Sequence, residues 1–217
     1  MGSDDAQQDH ADRRVAMVDR LQRTGRIERD STAAALRAVP RHEFVPPDRR
    51  SAAYDDRPLP IGDGQTISAP HMVAIMTDLL ELEPGDRVLE VGTGCGYHAA
   101  VTAELVGADS VFTIEYSEPL AEAARDRLAW LGYGQITVRT GDGYHGWPER
   151  APFDGIYYTC GVPEVPDSVL DQLAPSGIVL APEGTGMQTL VRRRHEGDDG
   201  IERESHGPVR FVRLRRD

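Results

Sequence analysis

The chain has 217 residues, enough for one domain with a substantial buried core. Its 36 acidic and 24 basic residues leave a formal charge of −12; every basic residue is arginine, and no apolar run approaches the ~20 residues of a membrane span. That balance argues against a nucleic-acid backbone or a membrane as partner, and two cysteines and seven histidines without ligand spacing argue against a structural metal.

The lysine-free, acidic composition suits a high-salt, halophilic cytoplasm, with codon bias in a GC-rich genome as the plainer explanation. Residues 1–11 are polar and lack a secretory apolar segment, so a soluble cytoplasmic protein is expected. Nothing in the sequence sets the oligomeric state; a monomer is the working expectation.

In chain order, Val15, Val18 and Leu21, with Met17 alongside, give helical spacing over residues 12–24. Asp30 or Ser31 can cap a second helix that runs to Ala38 and stops before Pro40. Five prolines between residues 40 and 66 predict an extended but ordered loop region. A third helix is expected over residues 69–82. Strands then alternate with helices: strands near 87–91, 111–115, 136–139, 153–159 and 177–181, helices near 97–106, 118–131 and 167–173. A final β-pair is expected at 188–194 and 208–214, around an acidic loop from Glu196 to Glu204. The pattern predicts an α/β fold with a Rossmann-like doubly wound sheet. It divides into an N-terminal cap and substrate loop (1–68), a cofactor core (69–183) and a C-terminal β-pair (184–217).

The chemistry starts where the first core strand ends. Arg87-Val88-Leu89-Glu90-Val91 runs into Gly92-Thr93-Gly94-Cys95-Gly96, and a helical pattern follows. Glycines at alternate positions let the backbone approach a nucleotide-like ligand. The dinucleotide fingerprint G-x-G-x-x-G requires a glycine where Tyr97 stands. Glu90 would repel a pyrophosphate but tolerate or favour a sulfonium with an ammonium group, so S-adenosylmethionine is the expected cofactor. Nineteen residues after Gly96, Glu115 ends the next strand, where its two oxygens can take both hydroxyls of a ribose. Asp142, between Gly141 and Gly143, sits at the edge of a third strand and can accept from an adenine amine; the plainer role is a tight turn. Ser68 precedes the proline-bearing start of the third helix and can be its N-cap. His71 alone is not expected to act as a base.

These residues resemble the protein-L-isoaspartate O-methyltransferase family. The resemblance runs through Pro58-Leu59-Pro60-Ile61-Gly62, Gln65-Thr66-Ile67-Ser68-Ala69-Pro70-His71-Met72, the glycine turn, Gly141-Asp142-Gly143 and Phe153-Asp154-Gly155-Ile156. It continues in Leu173-Ala174-Pro175 and in Val209-Arg210-Phe211-Val212-Arg213-Leu214. It implies the class I methyltransferase fold and methylation, from S-adenosylmethionine, of the free α-carboxylate of L-isoaspartyl residues in damaged proteins and peptides. The ester then closes to a succinimide, and hydrolysis returns some normal aspartate. Ser68 falls on the family's active-site serine, with Thr66 and Ile67 beside it as substrate contacts. Glu115 and Asp142 fall on the ribose and adenine contacts; Glu90, Gly92, Thr93, Gly94, Gly96 and Gly143 complete the expected cofactor set. Three positions depart from the family pattern: Cys95 in the turn, Thr159-Cys160-Gly161-Val162-Pro163 at a strand end, and Arg213 in the wall of the substrate cleft.

A carboxylate acceptor is ionised at neutral pH, with a reference pKa of about 4, so no general base is needed. That agrees with the lack of a convincing His/Asp pair in the sequence. Ser68 is expected to orient the acceptor rather than attack it, with Arg57 or Arg213 offsetting the repulsion from an acidic protein. Cys95 and Cys160 lie at the ends of neighbouring strands, as two small buried side chains or, more sharply, as a reversible disulfide. Two other functions stay open: methylation of a different carboxylate or a small-molecule acceptor, and cofactor binding without catalysis. A nucleic-acid methylase is disfavoured by the absence of a basic patch.

Overall fold

The structure, a computed structural model, describes residues 3–196 and 200–215. Helix α1 spans Ser3–Arg23, so it starts nine residues before the apolar spacing does. Its inner face is Met17, Val18 and Leu21, while Val15 points outward. Helix α2, Asp30–Ala38, takes Arg29 rather than Asp30 or Ser31 as its cap residue. The segment just before the helix is held from a distant element, where Asp78 Oδ2 accepts from the Glu28 and Arg29 amides at 2.6 and 3.4 Å.

The proline-rich stretch holds two short 3₁₀ turns, Arg41–Phe44 and Pro47–Ala52, and a hairpin of β1 (Leu59–Gly62) with β2 (Gln65–Ile67). Helix α3 is Pro70–Leu80 and stops at Glu81, which turns left-handed at φ 53°. The core elements follow as β3 (Val88–Val91), α4 (Tyr97–Val106), β4 (Val111–Glu115), α5 (Glu118–Trp130), β5 (Thr137–Thr140), β6 (Phe153–Tyr158), the short α6 (Asp167–Leu170) and β7 (Leu173–Glu183). The chain closes with β8 (Gln188–His195) and β9 (Ile201–Val209).

One seven-stranded sheet has the order β5-β4-β3-β6-β7-β8-β9; the first five strands are parallel and the last two antiparallel. Every residue of β3 and β4 is buried because helices or loops cover both sheet faces. Alternate residues feed two cores. Val88 and Tyr157 pack with α1–α4, whereas Leu89, Val91, Ile156 and Tyr158 pack with Phe112, Trp147 and Val169 on the other face.

The last strand is displaced from the expected 208–214 to Ile201–Val209. It pairs with β8 from His195↔Ile201 to Gln188↔Val209, so much of the expected acidic loop is strand; residues 197–199 of that loop lie outside the described residues. Its charged side chains belong to a sheet edge, where alternation is weak because little is buried and charge discourages further pairing. Residues 210–215 instead run back across the carboxyl ends of the strands. The Gly161 amide donates to Val212 O (2.7 Å) and the Leu214 amide to Gly161 O (2.8 Å).

Gln172 fixes the loop that follows β5. Buried, it accepts from the Trp147 amide (2.7 Å) and donates to His145 O (2.8 Å) and Ser168 O (2.6 Å). Gln172→Ala strands the buried Trp147 amide and frees two partly buried carbonyls, so the unfolding free energy should fall by about 1–3 kcal/mol. Urea titration checks this; an unchanged midpoint would mean that the loop is held by other contacts.

Candidate active site

The order of strands reverses direction at β3, with β4 on one side and β6 on the other, which opens a crevice at their carboxyl ends. Gly92, Gly94 and Gly96 all have positive φ, at 101°, 54° and 88°. At Gly92 a side chain is excluded twice, because a Cβ there would also collide with the Thr159 hydroxyl. That hydroxyl donates to Gly92 O and, at 3.3 Å, to Val91 O. The turn is thus stitched to the end of β6. Thr93 is buried and its hydroxyl meets that of Thr113 at 2.7 Å, so it supports the turn from below.

A crevice open to solvent is lined by Gly92, Gly94, Glu115, Gly143 and Thr159. Glu115 accepts from the Gly94 amide (2.8 Å) and the Ser117 amide (2.9 Å). Two of its carboxylate lone pairs fix the turn; the remainder are available to a pair of hydroxyls. Asp142 serves the plainer role, accepting from the Tyr144 amide at 2.8 Å, and its side chain is not part of the crevice wall, whereas Gly143 is. The crevice is roofed by the β1–β2 hairpin and residues 212–215, joined where Arg215 Nη1 meets Asp63 Oδ2 at 2.7 Å.

Glu90 occupies the floor of a second, smaller cavity beneath Ser68. It is fully buried and accepts from the Thr113 hydroxyl (2.7 Å) and the Tyr157 hydroxyl (3.1 Å). Burial pushes its pKa up to about 8. Burial therefore favours the neutral carboxyl near pH 7, which weakens the argument that its charge alone selects the ligand.

Ser68 lies where this cavity meets a long groove walled by His71, Met72 and residues 208–212. It is not the helix cap: Ala69 holds that position, and no side chain of the cap residue bonds the helix. Asp56 takes the task from fifteen residues away, its Oδ1 accepting from the His71 amide (2.9 Å) and meeting His71 Nδ1 (2.8 Å). Burial alone would raise the Asp56 carboxyl; the His71 bonds outweigh it and hold it below the usual range. A His/Asp pair therefore does border the groove, contrary to the sequence expectation. Thr66 and Thr159 line the crevice, the cavity and the groove alike, so these two residues mark their junction. Ile67 lines the cavity but is otherwise a core side chain.

A family model described as Protein-L-isoaspartate(D-aspartate) O-methyltransferase (PCMT) matches residues 12–217. The chain belongs to the protein-L-isoaspartate O-methyltransferase family. It is 48% identical over 208 residues to protein-L-isoaspartate O-methyltransferase 2 of Archaeoglobus fulgidus, covering 95% of this chain and 94% of the relative. The Methanopyrus kandleri protein-L-isoaspartate O-methyltransferase is 52% identical over 204 residues, covering 93% and 90%. Among solved structures, a Plasmodium falciparum beta-aspartate methyltransferase (PCMT) in complex with S-adenosyl-L-homocysteine superposes with a TM-score of 0.84 at 25% identity, covering 94% of this chain and 99% of that one.

In this family member the crevice suits an adenosyl sulfonium: a glycine turn that admits the ligand close to the backbone and a carboxylate with spare lone pairs. Gly92, Gly94, Glu115 and Gly143 are brought together as expected, and Gly96 opens α4 behind them. Arg57 is paired with Asp55 (3.4 Å) and lines neither crevice nor groove. Arg213 lines the crevice, not the groove, and donates to Thr185 O at 2.6 Å. Cys95 and Cys160 are free and buried; burial raises both thiol pKa values, which opposes the thiolate that disulfide exchange needs. They are small buried side chains.

The sequence reading missed Thr159, Asp56 and Arg41. Only the departure of residues 159–163 from the family pattern drew notice to the first.

Because the folded-state pKa of Glu90 is raised, its stabilising contribution is complete below the unfolded value of about 4.5 and is lost as pH rises through about 8. Glu90→Gln keeps the shape and cannot ionise. Its thermal midpoint should vary less than that of the unaltered protein between about pH 5 and 8. Parallel melting curves in calorimetry would show an ionised Glu90 instead.

Proposed function

We propose that this protein methylates the free α-carboxylate of L-isoaspartyl residues in damaged proteins, using S-adenosylmethionine, with the crevice for the cofactor and the groove for the peptide. The observation that carries the assignment of roles is the Ser68 hydroxyl. It is uncommitted among the described residues, half-buried, and placed where groove and cavity join beside Thr159.

The cofactor supplies an activated methyl. The protein's part is to hold the carboxylate oxygen, the methyl carbon and the sulfur in line, with reacting atoms roughly 3–3.5 Å apart. Glu115 and the Gly92–Gly96 turn hold the adenosyl side, with Gly143 opposite. Ser68 donates one hydrogen bond to the acceptor and fixes its approach, with Thr66 beside it. No base is required, so the His71–Asp56 pair secures the start of α3 and borders the groove. A weak orienting bond suits the task, because a strong one would stabilise the ground-state anion as much as the transition state. Asp142 shapes the turn that presents Gly143. The acceptor is thus a flexible polypeptide segment, and a nucleic acid does not suit a protein of charge −12. No helix among the described residues is long and apolar enough to cross a membrane. Action as a monomer in the cytoplasm completes the proposal.

The test is transfer from labelled cofactor to an isoaspartyl peptide and to its aspartyl twin. Only the first should be methylated, and equal labelling of the two would remove the acceptor assignment. Ser68→Ala should lower turnover about ten- to a hundredfold while cofactor affinity stays near that of the unaltered protein. A collapse of cofactor binding would instead assign Ser68 to the crevice.

Salt provides a second test. The acidic surface repels an acceptor that carries an additional carboxylate, and salt screens that repulsion. Activity toward a net-negative isoaspartyl peptide should therefore rise with KCl, through KM rather than kcat. A maximum at low ionic strength would contradict this.

A further inference from the structure

Arg41 is fully buried, a rare state for arginine. Its Nε donates to Ala53 O and its Nη2 to Ser68 O, both at 2.8 Å, and the guanidinium lies over the Tyr97 ring, 4.9 Å from the centroid. One side chain therefore ties the end of the N-terminal cap, the acceptor loop and the first residue of α4. Among the described residues Arg41 has no ion pair, and its Nη1 has no hydrogen-bond partner. The titratable groups around it are Tyr97, Cys95, Tyr54 and Asp56. Burial keeps the first three neutral, and the Asp56 carboxylate is engaged by His71.

Burying a cation without a counter-charge is costly, and a neutral donor could hold two carbonyls without that cost. The charge has a use once an anion arrives. The loop that Arg41 grips is the one that offers the Ser68 hydroxyl to the groove, and the acceptor assigned to that groove is a carboxylate. We propose that Arg41 is the positioning residue of the acceptor site: its fork sets the Ser68 backbone, and its charge, from beneath the loop, is balanced by the incoming carboxylate. This rests on the assignment of Ser68 to the acceptor and adds to it a residue that never touches substrate.

Two jobs give two kinetic signatures. Arg41→Lys keeps the charge and loses the fork; kcat should fall about tenfold while the peptide KM stays within about threefold. Arg41→Met loses both, so KM should also rise about tenfold. In a Ser68→Ala background the kcat cost of Arg41→Lys should shrink to less than about threefold, because no hydroxyl remains to be placed. In every variant the dissociation constant of S-adenosylhomocysteine, from calorimetry on the full chain, should stay within about threefold of the unaltered value.

The proposal is overturned if Lys and Met variants share one KM, if the kcat costs multiply in full across the double variant, or if cofactor affinity falls in step with activity. If Arg41→Met does not fold, Arg41→Lys and its coupling to Ser68→Ala still decide whether the fork acts through the serine. Unchanged kinetics in Ser68→Ala alone would remove the acceptor assignment itself. A normal Ser68→Ala defect combined with silent Arg41 variants would remove only the role given to Arg41.

Discussion

The site depends on the parallel register that brings three strand ends level. Val91 of β3 stands opposite Ile114 of β4 and Tyr158 of β6, so the next residues in each strand, Gly92, Glu115 and Thr159, emerge side by side. Each then bonds the turn. The Gly92 amide donates to Ile114 O at 2.8 Å, Glu115 accepts from Gly94, and Thr159 donates to Gly92 O. A slip of one residue in either pairing would send the side chains of that strand to the opposite face and separate the carboxylate from the turn. The continuous burial of β3 and β4 on both faces opposes such a slip, so hydrophobic burial sets the geometry of a polar site.

Electrostatics follow from the same burial. A protein of charge −12 has to receive an acidic acceptor. Many of its cations are already paired, Arg57 to Asp55, Arg215 to Asp63, and the arginines of β8 to Glu81, Glu183 and Glu204, whereas Arg210 is exposed, has no ion pair among the described residues and lines the groove. Burial favours the neutral form of Glu90, the acid in β3 ahead of the glycine turn, which lessens the negative potential beneath Ser68. Arg41, buried without an ion pair among the described residues, leaves that region the more positive. At short range, neutralising one acid and burying one cation outweighs many screened surface charges.

Features carried by local sequence were legible, and those carried by distant partners were not. The glycine turn, the strand-ending Glu115 and the start of α4 at Tyr97 all follow from neighbouring residues. At α3 the capping oxygen comes from Asp56, far away in the chain, while Ser68 stands where a local cap is equally plausible; at α2 Asp78, more distant still, holds the two amides that precede the helix. Arg41 sits in a charged stretch, Arg41–Phe44, that reads as surface, and only the fold closes Ala53, Ser68 and Tyr97 around it. Strand β9 was hidden because an edge strand has little to bury and shows no alternation.

The displaced cap connects these points to the chemistry. A serine that caps a helix has its oxygen turned toward amides of the first turn and is poorly placed to meet a ligand. Here Asp56 occupies that role through the His71 amide, and its carboxylate also receives the His71 ring. The Ser68 backbone is then held from the opposite direction by Arg41, through its carbonyl rather than its side chain. Remote capping holds the helix start after Ser68, carbonyl capture holds Ser68 itself, and its hydroxyl stays free among the described residues. A methyl transfer that needs alignment and no proton abstraction asks for that combination: a rigid backbone carrying one uncommitted donor at the junction of crevice and groove.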